Sequence, residues 1–113
     1  MASRSGRGDV VFVTFPFTDL WTAKLRPAIV PAVLQRGDLL ICQVTSKDYA
    51  DPNAVRIEAD AFAQGGLPLI SFAQAAKLFT GNATLVRRTV GTLKTDVTDA
   101  IRDRLIDVLQ IAS

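Results

Sequence analysis

Leu25-Arg26-Pro27-Ala28-Ile29-Val30 is the stretch that decides how this chain folds. It sets an arginine at the mouth of an otherwise apolar strand, with a proline immediately behind it. The apolar run continues to Leu34, yet Pro27 and Pro31 each lack an N–H to give to a neighbouring strand. Both must lie where no ladder needs that donor, so a bent or edge strand is expected. A second polar cluster, Gln43-Val44-Thr45-Ser46-Lys47, closes the next apolar run. We expect the two segments to meet in space and to form a site for a phosphodiester.

Outward from this stretch, strand signals dominate. Val10 to Phe15 is a β-branched and aromatic run closed by Pro16. Phe17 to Lys24 reads as a loop whose Phe17 and Trp21 are either pinned to the core or presented to a ligand. Arg36-Gly37-Asp38 makes a turn into a third strand, Leu39 to Thr45. With a period of two, Leu40, Cys42 and Val44 form a wholly apolar face that is expected to meet the core. Leu39, Ile41, Gln43 and Thr45 then share the other face, with Thr45 emerging at the strand's end. Val55 to Ala59 alternates like a half-buried strand, and Gln64-Gly65-Gly66 breaks it. Leu67 to Thr80 is read as a strand continuing to about Phe79, although Phe72 to Leu78 holds good helix formers. Gly81-Asn82 reads as a turn, and Arg87 to Leu93 as the last strand.

The C-terminal segment changes period. Val97, Ile101, Leu105 and Leu109 recur every four residues, with Ala100 and Val108 filling the same stripe. Thr95 or Asp96 is placed to cap this helix, and Asp96 and Asp99 suit its positive end. Several short strands followed by one helix give a mainly β, α+β fold, a small barrel or strongly bent sheet closed by that helix.

The chain has 113 residues, about one domain, with residues 1–7 expected as a loose basic tail and 8–113 as a single domain. No signal-peptide pattern and no membrane-length apolar stretch is present, which fits a soluble cytoplasmic protein. A single cysteine, Cys42, allows no disulfide within the chain. The chain has no histidine, which excludes Ser-His-Asp, Cys-His and paired-histidine catalysis within one chain. No glycine-rich phosphate loop and no tight carboxylate pair is visible, so neither a metal nor another cofactor is expected. What remains is arginine, lysine and hydroxyl chemistry. The net charge is +2, and the residues from Asp96 onward carry −2 of it, so the first 95 carry +4. An anionic partner would favour that N-terminal body.

Four segments together resemble the MazF/PemK family of toxin endoribonucleases. They are Gly8-Asp9-Val10-Val11, Phe15-Pro16-Phe17-Thr18-Asp19, Lys24 to Val30, and Cys42 to Lys47, in the family's order and spacing. Gly65-Gly66-Leu67 and Lys77-Leu78-Phe79-Thr80 are similar to the PemK-like branch. The resemblance implies an SH3-like barrel, a homodimer, metal-independent cleavage of single-stranded RNA such as mRNA, and a cognate antitoxin whose tail fills the RNA groove. It also implies that Arg26 is the catalytic arginine before proline and Thr45 the catalytic threonine, with Ser46 the alternative hydroxyl. Trp21, either a core anchor or a base-stacking platform, is a substrate-binding candidate together with Lys24, Gln43, Ser46 and Lys47. Arg87-Arg88 suit folding or dimer contacts as well as RNA.

In metal-free RNA cleavage the substrate's own 2′-OH attacks phosphorus, so the protein must stabilise charge and align the attack. Arginine offers a planar set of donors suited to phosphate, but with a reference pKa above 12 it is a poor general base. Arg26 is therefore expected to act by electrostatics. The alternative is a non-catalytic binding module on the same barrel, engaging an antitoxin-like peptide or another protein.

Overall fold

The computed structural model describes residues 5–15 and 24–111. The described strands are β1 (Asp9–Phe15), β2 (Lys24–Val33), β3 (Asp38–Thr45), β4 (Ala54–Ile57), β5 (Phe62–Gly65), β6 (Ser71–Asn82) and β7 (Val86–Leu93). A helix, α1 (Thr95–Ile111), follows them. The strands form one curled antiparallel half-barrel in the order β4-β6-β3-β2-β1-β7-β5. This is the expected mainly β, SH3-like barrel with a C-terminal helix.

Of the two readings of β2, bent or edge, the bent one holds. The strand lies at the centre of the sheet, between β1 and β3. Its register against β3 shifts between Ile29 and Ala32, and Pro31 falls inside that shift. Pro27 stands just past the last β2–β3 pair, Ala28 opposite Gln43. Neither proline therefore removes a bond from the β3 ladder.

The inner strands bury both faces. Val10, Ile29, Cys42 and Val44 join Ile57, Phe62, Leu93 and Ile101 in one cluster beneath the helix. Val11, Val13, Ala28, Val30, Leu39 and Ile41 form a second cluster on the opposite face. The reading of β3 as a strand with one core face is corrected here: Leu39 and Ile41 are 2% and 0% exposed, whereas Leu40 is only half-buried. A sheet that curls on itself covers its inner strands twice, and near-continuous apolar runs are the mark of such strands.

Turn signals were displaced rather than absent. The Gly65 segment that reads as a break is the end of β5, paired to β7. Gly65 has φ +65°, and a Cβ there would collide with the Val90 carbonyl oxygen, so only glycine closes this pairing. Strand β6 starts at Ser71 and runs through Gly81-Asn82, which is therefore strand rather than turn. Asn82 instead caps the following 3₁₀ turn, its side-chain oxygen accepting from the Thr84 N–H at 3.0 Å.

The helix docks through Ile101, which is 0% exposed, with Val97 and Leu105 packed beside it. Ala100 and Leu109, expected in the same stripe, are exposed, Leu109 by 71%. Each i+4 step overshoots a full turn by about 40°, so a strict four-residue ladder rotates off the core within three steps. Val108, half-buried, replaces Leu109. The first helical carbonyl is that of Lys94, which accepts from the Thr98 N–H at 3.0 Å. Lys94 thus occupies the cap position, in place of Thr95 or Asp96. Arg7 donates to Asp99 at 2.8 Å and ties the segment before β1 to the helix. That hydrogen bond, and then Arg102, hold the Asp99 carboxyl below its usual range. No helix among the described residues is long and apolar enough to cross a membrane.

Replacing Ile101 by alanine should destabilise the fold by about 2–5 kcal/mol, whereas Leu109→Ala should stay within about 0.5 kcal/mol. Denaturant unfolding of the two variants measures both. The reverse order would mean that the helix docks by another face.

Candidate functional site

Strands β2 and β3 bring the two predicted polar segments together. Ile29 faces Cys42 and Ala28 faces Gln43. Continued for two residues beyond that last pair, the same register directs Arg26 toward Thr45. Both residues alternate in phase with Ala28, Val30, Leu39 and Ile41, so they share the face turned away from the helix. Lys24 and Gln43 fall on this face by the same alternation. Arg26 and Lys24 are exposed, and Gln43 and Thr45 are half-buried.

Thr45 ends β3 with its hydroxyl already oriented. Its Oγ1 accepts from the Lys47 N–H at 3.1 Å, which leaves the hydroxyl proton free to be donated away from the chain. Ser46 and Lys47 are exposed just beyond it. Among the described residues no carboxylate pairs with Lys24, Arg26 or Lys47, whereas Arg7, Arg56 and Arg102 are all paired. The expected site thus combines cations available to an anion with one oriented hydroxyl. Trp21 lies outside the described residues.

The same face continues beyond the predicted residues. Thr45 pairs with Phe72 of β6, and Phe72 with Arg56 of β4. A row of Arg26, Thr45, Phe72 and Arg56 therefore crosses four strands, about 15 Å at the usual strand spacing. Thr45, Phe72 and Arg56 of this row line a depression of about 120 Å³, into whose wall Lys47, Asp48, Tyr49 and Asp51 also enter. The alternation Val55-Arg56-Ile57 signals that Arg56 turns away from the core. Nothing local signals that β4 pairs with β6, which is what carries Arg56 to this row.

Arg87 and Arg88 lie on β7, away from Arg26 and Thr45. Arg87 Nε donates to Thr14 Oγ1 at 3.2 Å, and the Arg88 guanidinium lies 4.8 Å from the centre of the Phe12 ring. Both side chains fasten β7 onto β1 and border a wider groove of about 820 Å³ floored by Leu39 and Val86. Leu39 and Thr45 are six residues apart on β3, about 20 Å, so this groove is separate from the Arg26–Thr45 pair. Cys42 lies under the site and is not part of it. Its thiol donates to the Gln74 carbonyl at 3.2 Å, and burial pushes it up to about 12. Among the described residues, no three His, Cys, Asp or Glu side chains are grouped to hold a metal.

Comparison with known proteins agrees with this fold. Residues 6–109 match the model of the PemK-like, MazF-like toxins of type II toxin-antitoxin systems. A MazE-MazF structure from Deinococcus radiodurans superposes with TM-score 0.73 at 21% identity, covering 96% of this chain and 98% of that one. A mycobacterial endoribonuclease in complex with its cognate antitoxin gives 0.70 at 14% identity, with 96% of each chain covered. The Mycobacterium tuberculosis toxin MazF-mt6 gives 0.67 at 15%, over 90% and 96%. No curated protein sequence matches.

With its thiol raised to about 12, Cys42 is protonated throughout the neutral range, and the thiolate is the reactive form. Native protein at pH 8 should take up no iodoacetamide, and denatured protein one equivalent per chain, as read by mass spectrometry. Rapid alkylation of the native protein would show that the core around β3 is open.

Proposed function

Because the chain belongs to the PemK-like, MazF-like toxins of type II toxin-antitoxin systems, we propose that it is a metal-independent endoribonuclease acting on single-stranded RNA. The observation that supports this reading is the pairing of Ala28 with Gln43, whose register, continued for two residues, would bring Arg26 beside Thr45. In this reading Arg26 donates to the non-bridging oxygens of the scissile phosphate, and Thr45 adds its free hydroxyl proton. Lys24 and Lys47 hold the flanking backbone, and Gln43 and Ser46 contact the substrate beside them.

The 2′ oxygen forms a new bond to phosphorus as the bond to the 5′ oxygen breaks. Its proton passes to solvent, and the leaving 5′ oxygen takes one up, giving a 2′,3′-cyclic phosphate and a 5′-hydroxyl. A permanently charged guanidinium donates and does not accept, so Arg26 contributes by meeting charge as it develops on the phosphorane. The +4 balance of the first 95 residues favours approach of an anionic strand. A homodimer, a cytoplasmic location and neutralisation by a cognate antitoxin complete the proposal. In the solved relatives, MazF is seen with MazE and an endoribonuclease with its antitoxin.

Purified protein should fragment single-stranded RNA in excess chelator and leave cyclic-phosphate and 5′-hydroxyl ends. Arg26→Ala should lower the single-turnover rate on the order of 10² to 10³-fold, the usual loss for one such donor, with Arg26→Lys in between. Full activity in Arg26→Ala, or a strict metal requirement, would overturn the mechanism. No fragments from the wild type would leave the non-catalytic binding module.

A further inference from the structure

The depression beside Thr45 differs in kind from the cationic face next to it. Lys47 and Arg56 line it, but so do Asp48 and Asp51, and Arg56 is already engaged by Glu58 at 3.3 Å. A phosphate would meet two carboxylates there, so the lining does not suit an anion. Two aromatic side chains complete it: Phe72, half-buried on the floor, and Tyr49, 61% exposed at the rim. Its roughly 120 Å³ is about ten times what admits one water. That is room for one planar ring and too little for a run of nucleotides.

The walls are held before anything binds. Thr45 Oγ1 accepts from the Lys47 N–H, Asp48 Oδ1 from the Ala50 N–H at 2.8 Å, and Asp51 Oδ1 from the Asn53 N–H at 2.9 Å. Arg104 of the helix donates to the Pro52 carbonyl at 3.2 Å, and Ala50 is kept at φ +55°. Each aspartate spends one oxygen on its turn. The other oxygen has no hydrogen-bond partner among the described residues, so two acceptors border an aromatic-lined slot next to the scissile position.

We propose that this depression is a base-reading subsite for the nucleotide flanking the cleaved bond. Asp48 and Asp51 make it select a base with an exocyclic amino group, such as cytosine, over uracil. The proposal rests on the ribonuclease reading above and adds its specificity. A carboxylate accepts from the cytosine amino group, whereas uracil presents one N–H between two carbonyl oxygens, which would face the carboxylate. Tyr49 and Phe72 supply the stacking surface that unpaired bases use on proteins.

The test uses the full chain and non-cleavable 2′-deoxy octauridylate analogues carrying a single cytidine at each position in turn, with binding read by fluorescence anisotropy. At one position cytosine should tighten binding at least tenfold over uracil. In Asp48→Asn/Asp51→Asn, whose amide oxygens can still accept the turn N–H groups, that ratio should fall below about threefold. Tyr49→Ala should weaken every oligonucleotide by about 5- to 100-fold without changing their order. Circular dichroism establishes that each variant is folded, and the single Asp51→Asn replaces the double variant if the latter is not. Equal binding at every position, or a preference unchanged in the aspartate variants, overturns the subsite while wild-type cleavage leaves the ribonuclease standing. Loss of both binding and cleavage in the wild type overturns both.

Discussion

A strand that is covered on both faces and carries two prolines can pair with its neighbours only where no ladder needs the missing N–H groups, and β2 meets that condition. Pro31 lies within the shift against β3, and Pro27 lies past the last β3 pair. Between them, Ala28, Ile29 and Val30 are fully buried and feed both hydrophobic clusters. Both hydrophobic clusters, the one under the helix and the one on the opposite face, thus draw on this centre. So does the site, because a strand so deeply held at its middle presents its exposed end in a fixed position.

Arg26 stands at that end. The residue before a proline is confined to extended backbone, and the pairing of Arg26 with Val13 in β1 fixes its direction. Thr45 reaches the same place from β3, with its hydroxyl turned by the Lys47 N–H. Preorganised donors of this kind need no rearrangement as charge develops, which is where such groups gain most. The same row of side chains passes from cationic at Arg26 to charge-balanced and aromatic at Phe72 and Tyr49.

Much of this was legible in the residues themselves. The apolar run with two prolines gave a bent strand, and the period-two strands and period-four helix gave the class of fold. The meeting of Arg26 with Thr45 needed only that consecutive strands pair. What escaped reading depends on long-range partners. Leu39 and Ile41 look like a solvent face until the sheet curls over them. Gly65 looks like a break until β7 approaches it, and Leu109 looks buried until the 3.6-residue period is applied strictly. Arg56 and Phe72 join the site only because β6 pairs with both β3 and β4, a topology with no local signature. The proximity of segments on adjacent strands could therefore be read locally, and that of segments joined by a distant strand could not.

The central claim is that Arg26 and Thr45 act together on one phosphate, and a double-mutant cycle tests it most directly. Single-turnover cleavage by wild type, Arg26→Ala, Thr45→Val and the double variant gives the coupling between them. If both meet the same phosphorane, the double variant should lose markedly less than the product of the two single losses, because residues that act as a unit are non-additive. Losses that multiply independently would contradict the account.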